Sequence, residues 1–155
     1  MGLRDTLTGA VSGLLLEQPL KNKDMAEIAQ ELDLAGGRLK HTFAGAKDNP
    51  DNRRLLSHIV GMERWGQSRL RVLLGAPLLH DEYDSYQPAA DLPLDEQIAT
   101  FHATRQETVA LTRTLEERKL PDSDKVEHND FGPMSARGWL SYLSTHASIE
   151  SKRIK

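Results

Sequence analysis

The sequence predicts an all-α protein, a four-helix bundle with one additional short helix at the N-terminus, and three observations carry that expectation. Four long stretches set their apolar residues on one helical face, and in one of them, Met25 to Phe43, these recur at alternating steps of three and four. No segment alternates with period two for long enough to read as a strand. Between the long stretches stand clusters of glycine, proline, asparagine and aspartate, the residues that turn a chain.

Composition narrows the functional classes. At 155 residues the chain reads as one domain, residues 1–155, large enough to bury a hydrophobic core without staples. It has no cysteine, so a disulfide framework, a thiolate metal site and a cysteine nucleophile are excluded, and a metal would need nitrogen and oxygen ligands. Twenty basic and twenty-three acidic residues give a net charge of −3 with the signs interspersed, which offers no electrostatic footprint for nucleic acid. The few aromatics are not interleaved with a basic stripe, so a single-strand stacking surface is not expected either. The N-terminal run MGLRDTLTGAVSGLLLEQ is too short and too interrupted for a membrane span or a signal peptide, and a cytoplasmic location without membrane contact is expected.

The elements follow in order. Residues 1–20 form an N-terminal helical extension: Leu3, Leu7, Ala10, Leu14 and Leu15 share a face over Leu3 to Glu17, and Pro19 ends it. The bundle spans residues 24–155. Asp24 is the N-cap of the first long helix, whose seam is Met25, Ile28, Leu32, Ala35, Leu39 and Phe43, with a kink or break expected at Gly36-Gly37. After a turn-rich stretch from Gly45 to Asn52, a second helix runs from Arg53 to Leu74 and stops at Gly75-Ala76-Pro77. Leu78 to Pro93 is a long acidic loop bearing two tyrosines, and loops longer than about 12 residues in a compact domain tend to be functional. Leu94 to Arg118 is the third helix, with Leu94, Ile98, Phe101, Val109 and Thr112 on one face. Lys119 to Met134 reads as polar turn, and Ser135 caps a last helix that keeps its period to Lys155 through Ala136, Trp139, Leu143, Ala147 and Ile154. Connections of these lengths allow either a crossover or a simple up-and-down topology.

Against this apolar pattern a few polar residues stand out. At about 100° per residue, His58 falls on the edge of the inward arc of its helix, between Met62 and Trp65. His146 and Glu150 lie near the middle of the last helix's stripe, one turn apart, so both side chains reach a common point. A buried carboxylate without a partner costs several kcal/mol or is neutralised, so Glu150 needs a cation, a donor or water. Arg105, at the centre of the third helix's inner face, needs an anion as much. Glu63, also inward, competes for it.

With His58 on the second long helix, His146 on the last, the run Phe131-Gly132-Pro133-Met134-Ser135 leading into that helix, and an acidic, tyrosine-bearing loop after the second, residues 24–155 resemble the DinB/YfiT-like family. The resemblance implies a four-helix bundle, often homodimeric, that holds a divalent metal with three histidines, one on the second helix and two spaced H-x-x-x-H on the last. His58 and His146 match two of them, and Glu150 stands where the third histidine would be. Family members include thiol-dependent transferases and isomerases, in which the metal activates a low-molecular-weight thiol toward a small electrophile, and stress- or damage-induced proteins without assigned chemistry.

Two readings compete. In the first, His58, His146 and Glu150 are metal ligands, a facial set with open positions suited to zinc or nickel, with iron or manganese also compatible. Arg105 and Tyr142 are then candidate substrate contacts, Tyr142 as a hydrogen-bond donor one turn before His146. In the second, Arg105 forks onto Glu150, the histidines are hydrogen-bonded core residues, and the bundle is a non-catalytic structural or interaction protein with a relict site. His102 is expected on a flank, His41, His80 and His128 in solvent, Trp65 and Trp139 in the core or an interface, and Asp81, Glu82 and Asp84 on a solvated loop. Neither a Walker loop, nor GxSxG, nor HExxH occurs.

Overall fold

Each of three long helices begins where a side chain satisfies its first free N–H groups. In the computed structural model, which describes residues 23–155, α1 spans Met25–Ala44 and Asp24 accepts from the Glu27 N–H at 2.8 Å. α2 spans Pro50–Val72, capped by the Asn49 side chain on the Asn52 N–H at 2.9 Å, with Pro50 in the first turn, where its missing N–H costs nothing. α4 spans Ala136–Ser151, and the Ser135 hydroxyl accepts from the Gly138 N–H at 3.2 Å. α3, Leu94–Arg118, starts after Pro93 without a side-chain cap and ends on Lys119 in the left-handed conformation, φ 51°. The helix expected over Leu3–Glu17 lies outside the described residues.

The described residues form a mostly helical bundle in which α1 and α2 each pack against α3 and α4. Contacts fix the directions. Arg53 donates to the Asp91 carbonyl, Gln67 to the Thr104 carbonyl and Arg71 to Glu107, so α2 and α3 run parallel. Trp65 meets Trp139, and His58 meets His146, so α2 and α4 run antiparallel. Residues 73–93 are therefore a crossover, the alternative that loop length had left open. A short 3-10 turn, Tyr83–Tyr86, lays this crossover along α2.

Three expectations are corrected. The stretch read as polar turn contains a β-hairpin, β1 Lys125–His128 paired antiparallel with β2 Gly132–Ser135, so the bundle carries a small two-stranded sheet. α1 does not break at Gly36-Gly37. Gly36 is instead where the Arg105 side chain passes: a Cβ there would stand 2.6 Å from Arg105 Cγ. Finally, the last helix ends at Ser151, after which Ile154 leaves helical geometry yet still packs beside Phe43, Leu56 and Ala147.

The core has two apolar clusters with a polar layer between them. One gathers Ile28, Leu32, Trp65, Val109, Trp139 and Leu143; the other gathers Phe43, Leu56, Ile59, Val60 and Phe101. Each such side chain contributes about 1.5–3 kcal/mol on burial. Between them Arg105 Nε donates to Glu63 Oε1 at 2.6 Å and Nη2 to Oε2 at 3.1 Å, with both residues almost wholly buried. Thr108 donates to Glu63 Oε1 at 2.8 Å, Gln67 donates to the Thr108 hydroxyl at 2.9 Å, and Arg105 Nη1 reaches the Leu32 carbonyl at 3.2 Å. The fork geometry and the added donors satisfy charges that would otherwise be costly to bury.

Candidate functional site

His58 and His146 come together from helices far apart in sequence because α2 and α4 pack closely and antiparallel. That approach depends on Gly66, where an added Cβ would lie 2.4 Å from a Leu143 methyl. The two Nε2 atoms are 3.1 Å apart, and one oxygen of Glu150 joins them, the three ligand atoms lying within 4.8 Å of one another. At 3.1 Å the two nitrogens share one hydrogen, so one ring donates from Nε2 while the other accepts. Burial, with a smaller contribution from His58, pushes the pKa of His146 down to about 3. His146 is therefore neutral at physiological pH and keeps a lone pair to offer.

The geometry suits a divalent ion. Ligand atoms about 2.0–2.2 Å from a common ion are themselves roughly 3.0–3.5 Å apart, and the histidine pair already meets that spacing. One oxygen of Glu150 lies within 4.8 Å of both nitrogens while Arg153 Nη1 holds its Oε2 at 2.8 Å, so the carboxylate would have to turn toward the pair to complete such a set. Beside the pair lies an open cleft of about 810 Å³, lined by His58 with residues from the start of α2 and from 152–155.

Other residues fall as follows. The Arg105 guanidinium is bound to Glu63, not Glu150, and does not join the histidines. The ion pair of the metal-free reading is thus corrected: the deeper carboxylate on the adjacent helix takes the guanidinium. Tyr142 packs 6.2 Å from the His146 ring, and its hydroxyl donates to Met62 Sδ at 3.2 Å, toward the core. His102 stays outside the His58, His146 and Glu150 group. His41 and His80 are exposed, and Trp65 and Trp139 are buried, as expected.

Two features escaped the sequence reading. Tyr83, on the crossover, sets its ring edge-on to His58 at 5.0 Å and so helps fix the imidazole plane. Its loop is held by Asp81, which is no freely solvated side chain: it accepts from Arg69 at 2.9 Å and from the Tyr86 hydroxyl at 2.6 Å, while its carbonyl accepts from Trp65 Nε1. Burial opposes its charge, yet the bonds from Tyr86 and Arg69 outweigh that and hold its carboxyl below the usual range. Arg69 itself is buried and stacks on Trp65 at 4.9 Å. His128 is the second feature. Expected in solvent, it is 2 % exposed, stacked on Phe131 at 4.4 Å and surrounded by Trp65, Trp139 and Tyr142. Its Nδ1 accepts from the N–H groups of Asp130 and Phe131, so it locks the hairpin turn.

The fold and site thus define an α-helical bundle with a histidine and carboxylate group able to hold a metal ion. No protein-family model, curated protein or solved structure matches the chain. No helix among the described residues is long and apolar enough to cross a membrane.

Proposed function

We propose that this is a DinB-like bundle that holds a divalent transition metal, zinc or nickel, through His58, His146 and Glu150, and that it transfers a low-molecular-weight thiol to a small electrophile. The single observation that carries the reading is the meeting of two imidazole Nε2 atoms at 3.1 Å with a carboxylate in reach, at the edge of an open cleft. A bound divalent ion supplies positive charge that deprotonates a thiol or water near neutral pH. The protein supplies the rest. His146 stays neutral because desolvation lowers its pKa, and the crossover anchored by Asp81 sets Tyr83 against His58, which orients that ring. The thiol gives up its proton to solvent, its sulfur forms a bond to the electrophilic carbon as the bond to the leaving group breaks, and the leaving group departs with that electron pair. Cytoplasmic stress protection and a homodimer belong to the same proposal, as implied by the family resemblance.

The test is the alkylation of 2-mercaptoethanol by iodoacetamide at pH 7. Zinc-loaded wild-type protein should accelerate it over chelator-treated protein, and His146→Ala should remove the difference. Equal rates in all three overturn the transferase reading. A second reading, the relict site, is favoured by the fact that the group is already satisfied without an ion: the imidazoles bond to each other and Arg153 holds Glu150. It requires that zinc and nickel leave the melting temperature unchanged, whereas binding raises it by linkage.

A further inference from the structure

The cleft beside the histidine pair carries more positive charge than its own acid balances. Arg54, Lys152, Arg153 and Lys155 line it together with one acidic side chain, Asp51; Arg54 holds Asp51 and Arg153 holds Glu150, which leaves the charge of the two lysines in excess. Its far wall is fixed in place. Asn52, fully buried, donates to the Lys155 carbonyl at 2.9 Å and accepts the Lys155 N–H at 3.2 Å, which ties residues 152–155 across to the start of α2. Arg153 is different in kind from the others. It is 70 % exposed, and it holds one oxygen of Glu150, the same carboxylate that a metal would recruit.

We propose that this cleft binds a small carboxylate-bearing ligand, with Arg153 as its principal contact, and that Arg153 changes partner from Glu150 to the ligand when Glu150 turns to the histidines. The exchange rests on the metal reading above; the anion site itself does not. A guanidinium forks onto a planar carboxylate, and here the ligand would replace one carboxylate with another. Lys152 and Lys155 attract the same charge from the rim. Because Glu150 can satisfy either the guanidinium or the ion but not both in full, ligand and metal each strengthen the other's binding, by reciprocity. A volume of about 810 Å³ is ample for a dicarboxylate whose other end lies against His58.

Glu150→Gln frees Arg153 with no metal present, so the anion site is testable alone. Succinate is titrated calorimetrically into chelator-treated wild-type protein, Glu150→Gln, and Glu150→Gln with Arg153→Gln, with thermal melts confirming that all three are folded. Glu150→Gln should bind succinate about tenfold more tightly than wild type, and the double variant should lose that gain. Equal affinity in wild type and Glu150→Gln, or a gain that survives loss of Arg153, overturns the proposal. Tighter binding of inorganic phosphate or of neutral succinamide than of succinate overturns the assignment to carboxylates. None of these outcomes depends on metal uptake, whose failure would sink the metal reading separately.

Discussion

Replacing Arg105 with leucine is the sharpest probe of how the bundle's interior is organised. Glu63 is 2 % exposed, and without the guanidinium its carboxylate keeps, among the described residues, the Thr108 hydroxyl as its one side-chain donor. Removing one partner of such a pair costs about 3–5 kcal/mol, because the remaining charge stays buried. At about 2–4 °C per kcal/mol, the melting temperature of a chain of this size should fall by roughly 6–20 °C. Replacing both Glu63 and Arg105 with leucine should return most of that loss, since the Thr108 hydroxyl, whose one hydrogen now goes to Glu63, can turn to the Thr104 carbonyl 3.3 Å away. Urea unfolding of the four proteins in a double-mutant cycle measures the coupling. A cost below about 1 kcal/mol for Arg105→Leu, or a double variant that loses the sum of the singles, refutes the argument. Zinc uptake should be unchanged throughout, because Arg105 serves Glu63 and not Glu150.

Three more predictions follow from particular contacts. In metal-free protein the folded pKa of His146 lies below its unfolded value of 6.5, so the folded chain binds fewer protons between about 3 and 6.5 and stability falls as pH drops through that window. The loss should be about 2 kcal/mol between pH 7 and pH 5, and a flat stability profile there, read by urea unfolding, contradicts the desolvation of this half-buried imidazole. Gly66→Ala should cost about 1–3 kcal/mol by forcing α2 from α4 at Leu143, and should weaken zinc binding with it; unchanged stability would show that the close approach is not required. Glu150→His supplies a third imidazole in place of the carboxylate, and it should tighten zinc binding in calorimetry without creating it. Binding that appears only in this variant would mark the native site as relict.

What was legible in the sequence was local. Asp24 and Ser135 could be read as caps because an N-cap acts on groups two or three residues away, and α3 was bounded by proline and by loss of period. α2 begins at Pro50, before its apolar period does, because Pro50 is both a turn residue and, after the Asn49 cap, a good first helical residue. The hairpin escaped because Val126 and His128 are its only inward residues on β1, too few to establish a period. His128 and Arg69 were missed for a different reason. Their shelter comes from Trp65, Trp139, Phe131 and Asp81, brought together only by tertiary packing. The histidine pair could be suspected from inward facing on two helices, but the distance between them was not in the sequence. Arg153 carried no signal at all, since its importance comes from its hold on Glu150 and its place on the cleft wall.

The most direct measurement is the metal content of protein purified without an affinity tag, by inductively coupled plasma mass spectrometry. One zinc or nickel ion per chain is expected in the wild type, with His58→Ala and His146→Ala each losing it while still folding by circular dichroism. A wild-type chain that carries no stoichiometric metal and takes up none on dialysis against zinc contradicts the account.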